Sequence, residues 1–495
     1  MEPVIQGLTL VFDPFNIALV FGGVLIGVTV GALPGLSSPM AVALLLPFTI
    51  TLDPVPAICM MAALYCAGTF GGSITAILIN APGAPPAAAT ALDGYPMAKR
   101  GEAGRALGLA AVSSVLGGVF SLIIFLFAAP LLAKLALKFR PPEYFALTVF
   151  ALSMLASISG KSSLRNLIAG AFGVLIGTAG IHLTTGVERF TFGIYELTEG
   201  VSFVPVLIGL FALGELLGQS QVLNVAYERI TSIVIKLPSR EDFRRVRWTI
   251  LRSSGIGTFI GILPAEGATV AAIMGYNEAK RWSKNKEEFG HGALEGIAGP
   301  EAANNAACTG SFVPLLTLGI PGSGTTAILL GALIALNVAP GPGLMTDRPE
   351  VFWSVIISMY IGNLVLLMLN LPLIPYIARL LAVSRNYLVP FVLFFALIGS
   401  YIGQNNPTEL LIMIALGVLA TVFRFTGFPL PPLIIGFILG GMMEDNLGRA
   451  IRRSGGLEFL WERPMTLALV ILALVLLVAP YLVDKLKIRD RLMSN

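Results

Sequence analysis

Asn80-Ala81-Pro82-Gly83-Ala84-Pro85-Pro86 interrupts an apolar run, Gly72 to Leu92, that is otherwise long enough to cross a bilayer. A hydrocarbon core gives an exposed backbone no water to bond to. A broken segment at that depth is therefore buried in protein or lines a cavity. Gly319-Ile320-Pro321-Gly322-Ser323-Gly324 makes a second break of the same kind far downstream. Paired interruptions in the two halves of an apolar chain are the best sequence pointer to a transporter's binding site.

Composition supports a membrane setting. Of 495 residues 56% are hydrophobic and only 12% charged, and mean hydropathy is +0.84; a soluble globular chain carries about 25% charged residues. The apolar runs lack the period of two that barrel strands require, so the expected fold is an all-α polytopic membrane protein. Cys59, Cys66 and Cys308 form no Cys-x-x-Cys pair, and His182 and His291 are the only histidines, both read as loop residues. Buried inert thiols are expected, with no cofactor and no resident metal. No Lys or Arg precedes residue 17, so the first apolar run lacks the basic flank of a cleaved signal peptide and is kept as a helix.

The chain divides into four parts. Residues 1–218 form a first membrane repeat, with a re-entrant hairpin around 72–92. Residues 219–247 carry Arg229, Lys236, Arg240, Arg244, Arg245 and Arg247, and read as a basic, amphipathic cytoplasmic connector. Residues 248–447 form a second repeat with a hairpin around 310–338, and residues 448–495 add an extra transmembrane helix and a basic tail. Gly257-Thr258-Phe259-Ile260-Gly261-Ile262-Leu263-Pro264 matches Gly27 to Pro34 as G-x-x-x-G-x-L-P at an offset of 230 residues. Pro321-Gly322 follows Pro82-Gly83 by 239 residues, and the longer polar loop 277–292 accounts for the difference. One G-x-x-x-G is more often a packing seam than a site; two motifs recurring in order indicate an internal duplication. A cytoplasmic connector and an N-terminus free of positive charge make the two repeats inverted.

Each break offers both signs of partial charge. The helix that ends near Asn80 or Gly319 leaves carbonyls unpaired, and the helix that begins after Pro82-Gly83 or Pro321-Gly322 leaves N–H groups free. The free N–H groups suit a carboxylate, the carbonyls a cation. Substrate candidates are Ser37, Ser38, Asn80, Pro82, Gly83, Pro321, Gly322, Ser323, Thr325 and Thr326; cation candidates are Ser73, Asn80, Asn304, Asn305, Thr317 and Gly319. Thr75 and Thr90 add hydroxyls to the first hairpin. Ser37 and Ser38 either bind a ligand or cap the next helix. Glu266 and Glu301 are either interfacial or coupling groups, and Glu215, Glu444 and Asp445 read as span-end groups. Such a site needs no buried arginine.

Five stretches resemble the large membrane subunit of tripartite tricarboxylate transporters, the TctA family. They are Gly31-Ala32-Leu33-Pro34-Gly35, residues 68–78, Asn80-Ala81-Pro82-Gly83, residues 91–101 and Gly319-Ile320-Pro321-Gly322-Ser323. The resemblance runs along essentially the whole chain. It implies a multi-pass subunit of a bacterial inner-membrane secondary transporter for citrate-like or other carboxylates, usually driven by Na⁺. The implied partners are a small TctB-like membrane subunit and a periplasmic TctC-like solute-binding protein, and the implied motion is an elevator movement of the hairpin-bearing part. No nucleic-acid partner is expected. Pro264 departs from the first copy, being followed by Ala265-Glu266 where Pro34 is followed by Gly35.

A channel, or a proton-coupled exporter working without a binding protein, would use the same hairpins. A membrane enzyme needs a nucleophile, base or metal cluster, which this sequence does not present. An ATP-driven pump needs a Gly-x-x-x-x-Gly-Lys-Ser/Thr loop, which does not occur.

Overall fold

The computed structural model describes residues 2–33, 35–158, 163–182, 185–218, 234–263, 267–380, 385–402 and 406–485. Among these the chain is helical almost throughout, and the one strand pair sets Gly180–Ile181 antiparallel to Glu188–Arg189. The first half supplies α1 (Glu2–Val11), α2 (Pro14–Ala32), α3 (Ser38–Thr49), α4 (Pro54–Ile79), α5 (Ala87–Met97), α6 (Ala103–Ala136), α7 (Pro141–Ile158), α8 (Ser163–Gly177) and α9 (Phe203–Gly218). The second supplies α10 (Arg240–Ile262), α11 (Gly267–Trp282), α12 (Leu294–Gly310), α13 (Phe312–Leu318), α14 (Gly324–Ala335), α15 (Pro349–Leu380), α16 (Arg385–Ile402), α17 (Pro407–Phe425), α18 (Leu430–Ser454) and α19 (Pro464–Lys485). Five described helical stretches are long and apolar enough to cross a membrane: Pro14–Ala32, Pro54–Ile79, Ala87–Ala136, Pro349–Asn370 and Pro407–Phe425.

Local sequence explains where these helices start. Asp13 accepts a hydrogen bond from Phe15 N at 2.9 Å and Pro14 opens α2; Asn406 does the same for Thr408 N ahead of Pro407 in α17. Ser239 and Asp242 form a capping box at the head of α10. α4 stops because Asn80 turns left-handed (φ 52°), and α13 stops because Gly319 does (φ 71°). Asn and Gly are the residues that tolerate that conformation. Past each stop one long bond turns the chain: Ala81 N donates to Thr75 O at 3.3 Å, and Ile320 N to Pro314 O at 3.2 Å.

Glycines set the closest helix pairs. A Cβ on Gly27 would lie 2.4 Å from Leu64 O, and one on Gly31 2.1 Å from Gly68 O. In the second half a Cβ on Gly257 would lie 2.1 Å from Ala303 O, and one on Gly261 2.3 Å from Ala307 O. The G-x-x-x-G motifs are thus packing seams that let backbones touch. Both contacts advance in the same chain direction, so α2 lies parallel to α4 and α10 parallel to α12. Between α4 and α12 the sense reverses: Thr69 meets Cys308 at 3.0 Å while Ser73 meets Glu301 at 2.5 Å. α6 packs on α10 and α12, and α15 on α2 and α4; α17 packs on α9, and α18 on α7 and α8.

Three boundaries differ from the sequence reading. The first arm of the 72–92 hairpin is not a separate short helix, because α4 continues through Gly71 and Gly72, whose missing side chains admit Val28 O and the loop at Ala84. In the expected connector, residues 219–233 lie outside the described ones, and from Arg240 the chain is already the helix α10. The expected division after residue 447 falls inside α18.

Candidate functional site

A cavity of about 350 Å³ opens where the two breaks approach each other. Its walls come from Ser37 and Ser38 at the head of α3, Tyr65 and Thr69 on α4, the loop Ala84-Pro85-Pro86 ahead of α5, Ala268 and Thr269 at the head of α11, and Ser323, Gly324 and Thr325 at the head of α14. Phe211 and Glu215 on α9, Arg424 on α17 and the turn Phe428 to Pro431 close the other side. The amino ends of α3, α11 and α14 therefore converge on one space. Each such end carries roughly half a positive charge. The charged residues of this lining are Glu215 and Arg424.

The polar groups are held in place. Ser37 Oγ accepts from Met40 N at 3.3 Å and donates to Glu215 Oε2 at 2.5 Å, while Arg424 Nη2 lies 3.3 Å from Glu215 Oε1. At the head of α14, Ser323 Oγ accepts from Thr326 N at 3.2 Å and Thr326 Oγ1 accepts from Ser323 N at 2.8 Å. Tyr65 on the opposite half brings its hydroxyl to 3.1 Å from Ser323 Oγ.

A second polar centre lies at the α4–α12 crossing. Glu301 is fully buried, and its carboxylate accepts from Ser73 Oγ and Thr90 Oγ1 at 2.5 Å each and from Ser114 Oγ at 2.7 Å. Four helices (α4, α5, α6 and α12) thus share one acid. One turn on, Asn304 is also fully buried, and neither atom of its amide has a partner. A hydrogen-bonding group left unpaired in a core costs about 1–3 kcal/mol, and among the described residues buried Asn370 on α15 shares this condition with both amide atoms unpaired.

On α5, Asp93 Oδ1 accepts from the backbone N–H groups of Gly290, Gly292 and Ala293 at 2.8 Å each, tying that helix to the turn before α12. Beside it Arg245 bonds Glu288 at 2.5 Å and Glu295 at 2.7 Å. The Arg245 guanidinium holds the Glu288 carboxyl below the ordinary carboxylate range.

The structure sorts the residues singled out from sequence. Ser37, Ser38, Ser323 and Thr325 line the cavity. Asn80 and Pro82 stand exposed on their loop, whereas Pro321, Gly322 and Thr326 are buried; these five and Gly83 lie behind the lining or beside it. Among the cation candidates Ser73 bonds Glu301, Asn305 Nδ2 donates to the backbone oxygen of Glu301 at 3.4 Å, and Thr317 Oγ1 donates to Val313 O at 2.6 Å. Glu266, with Pro264 and Ala265, lies outside the described residues. Glu444 pairs with Arg189.

Sequence reasoning missed Arg424, and it read Glu215 as a span-end group although Glu215 lines the cavity. One signal was available. Each is a lone charge at the edge of an apolar run, and an ionisable residue there reads as functional by default. What linear order hides is that α9 and α17 pack together and bring the two into contact.

These apolar helices, with a cavity walled by helix amino ends, define a multi-pass α-helical membrane protein. The chain belongs to the tripartite tricarboxylate transporter TctA family, whose match covers residues 17–435, and is thus a component of that class of transporter. A protein of Agrobacterium vitis, described as an uncharacterized 52.8 kDa protein in the TAR-I ttuC' 3' region, is 43% identical over 463 residues, 92% of each chain. A second from the same organism, described as an uncharacterized protein in the TAR-II ttuC' 3' region, is 46% identical over 200 residues, 40% of this chain and 83% of that one. No solved structure matches this chain.

Proposed function

We propose that the protein is the permease of a bacterial inner-membrane importer that takes a di- or tricarboxylate from a periplasmic solute-binding protein and moves it with Na⁺, beside a small membrane subunit. The observation that carries this reading is the cavity in which the heads of α3, α11 and α14 meet beside Arg424. Helix amino ends and a guanidinium are the groups that recognise carboxylates, and about 350 Å³ is within the range of small-molecule sites. The chain binds the acid through Ser37, Ser38, Ser323 and Thr325, with Asn80, Pro82, Gly83, Pro321, Gly322 and Thr326 shaping the two loops behind them.

Two inverted repeats account for the packing. Thr69 and Cys308 stand 239 residues apart, the offset of the two Pro-Gly breaks, and touch. Contact between equivalent residues supports a local two-fold axis between them, which antiparallel α4 and α12 would set in the membrane plane. The two loops differ in exposure: Asn80, Pro82 and Pro85 are exposed, whereas residues 319–323 are buried. One side closed and the other open is a single end state of alternating access. In this reading the hairpin-bearing helices travel as one body, an elevator, against α7 to α9 and α16 to α18.

Na⁺ is the coupling ion. A hard cation needs oxygen donors, and the four-helix crossing supplies them through Glu301, Ser73, Asn304 and Asn305, with Asn80, Thr317 and the Gly319 carbonyl at the loop ends. The test is uptake of labelled citrate, tartrate or succinate by proteoliposomes holding the chain and its small subunit. Uptake that requires both Na⁺ and the loaded binding protein is expected. Uptake indifferent to both overturns the importer and favours a channel or a proton-coupled exporter.

A further inference from the structure

The side chain of Glu215 reaches from α9 into the cavity and takes up the place of a carboxylate ligand. One of its oxygens accepts from Ser37 Oγ at 2.5 Å, at the amino end of α3. The other lies 3.3 Å from Arg424 Nη2. A hydroxyl at a helix head and a guanidinium are a two-point grip for one carboxylate group. The grip is already filled, by the chain's own acid. All three residues border the same cavity, so a second acid arriving there meets Ser37 and Arg424 already engaged.

We propose that Glu215 is a built-in competitor: the incoming carboxylate displaces it from Arg424 and Ser37, and the displaced side chain frees the α2–α3 turn from α9. This rests on the carboxylate reading above and names the groups that read the acid. Ser37 heads α3, which packs on α4 and also on α9 and α16, whereas Glu215 and Arg424 lie on α9 and α17, which pack on each other. The Ser37–Glu215 bond is therefore a tie between the head of α3 and α9. An empty carrier keeps the tie, and a loaded one exchanges it for substrate contacts. Binding and release of the moving part are then one event, which limits movement without cargo. A ligand shifts such an equilibrium only through its differential affinity for the two states, and here that difference is the exchange of one carboxylate for another.

The consequence is opposite in sign to that of an ordinary structural ion pair. Removing the charge of Glu215 frees the grip and tightens substrate binding. Removing Arg424 destroys the grip. The experiment measures citrate, tartrate and succinate binding by calorimetry, with the full chain in lipid nanodiscs, for the wild type, Glu215→Gln, Glu215→Asp, Arg424→Gln and the double variant. Glutamine keeps an acceptor for Ser37, so the fold is retained; thermal melting of each variant records this. Glu215→Gln is expected to lower Kd severalfold to tenfold, Arg424→Gln to raise it tenfold or more, and the double variant to behave as Arg424→Gln. Glu215→Asp, one methylene shorter, is expected to hold the grip less well and to lower Kd by less than Glu215→Gln. Empty-carrier exchange, read as Na⁺ flux without substrate, is expected to rise in Glu215→Gln.

Unchanged or weaker binding by Glu215→Gln, beside a wild type that binds a carboxylate, overturns the competitor and leaves the carboxylate reading standing. If neither the wild type nor Glu215→Gln binds any of the three acids, both fall. A melting temperature lowered in Glu215→Gln with no gain in affinity assigns the pair to structure alone and overturns the proposal.

Discussion

Thr69 Oγ1 and Cys308 Sγ lie 3.0 Å apart, although 239 residues separate them in the chain. The same interval separates Pro82 from Pro321 and Asn80 from Gly319, the two left-handed stops. A contact between positions matched in this way is what the proposed inverted repeats require.

That proximity is testable by crosslinking. Mild oxidation of the Thr69→Cys variant is expected to join the new thiol to Cys308, read as loss of both free thiols in peptide mass spectra. Uptake is expected to persist afterwards if both residues travel in one body, as the proposed elevator has it. Uptake abolished by the crosslink and restored by reductant would place the elevator boundary between α4 and α12.

The glycine seams predict a matched pair of defects. Gly31→Ala and Gly261→Ala each drive a methyl into a backbone carbonyl, Gly68 O at 2.1 Å and Ala307 O at 2.3 Å. A carbonyl of a packed helix cannot step aside, so each is expected to cost about 1–3 kcal/mol and to lower the melting temperature. Gly255→Ala, which meets nothing within 4 Å, serves as the control and is expected to leave it unchanged.

Asp93 is expected to act as a peg. Asp93→Ala orphans three backbone N–H groups, at Gly290, Gly292 and Ala293, and is expected to cost at least ~2 kcal/mol. Asp93→Asn keeps one acceptor oxygen and is expected to lose less. Hydrogen exchange of the 288–293 turn distinguishes the two: fast in the alanine variant and slowed in the asparagine variant.

Glu301 predicts a separation of coupling from folding. Glu301→Gln keeps the volume and one acceptor oxygen for the hydroxyls of Ser73 and Thr90, with Ser114 turning to accept from the amide N–H, but removes the charge that a cation would find there. It is expected to remain folded, to bind carboxylate, and to lose Na⁺-dependent accumulation at least tenfold. Full Na⁺ dependence in this variant would move the cation site away from the four-helix crossing.

Acid is expected to loosen the turn at Glu288. Its carboxyl is held below the ordinary range by the Arg245 hydrogen bond, so its contribution is present above the unfolded value, about 4.3, and is lost as pH falls through the lower folded one. Hydrogen exchange of residues 284–290, corrected for intrinsic rate, should accelerate below about pH 4. Glu288→Gln should show the fast rate at neutral pH and no acid step.

The amino-acid sequence by itself determined the class, the helix stops and the family likeness. Each of these is a local property. Sparse charge sets the solvent, Asn80 and Gly319 set the left-handed turns, and paired Pro-Gly breaks mark where a backbone leaves the helix inside a membrane. Tertiary structure decided which of those features share a space. Ser37, Ser323 and Thr325 reach the cavity because three helix heads converge, whereas Asn80, equally polar, turns outward on its loop. It also decided that Gly71 and Gly72 continue a helix, since what they admit are neighbouring backbones that no single stretch can announce. Arg424 and Glu215 were not joined into a site for the same reason: the chain order gives each only as a lone charge at the edge of an apolar run, and they become parts of one site only when α9 and α17 fold side by side around a cavity.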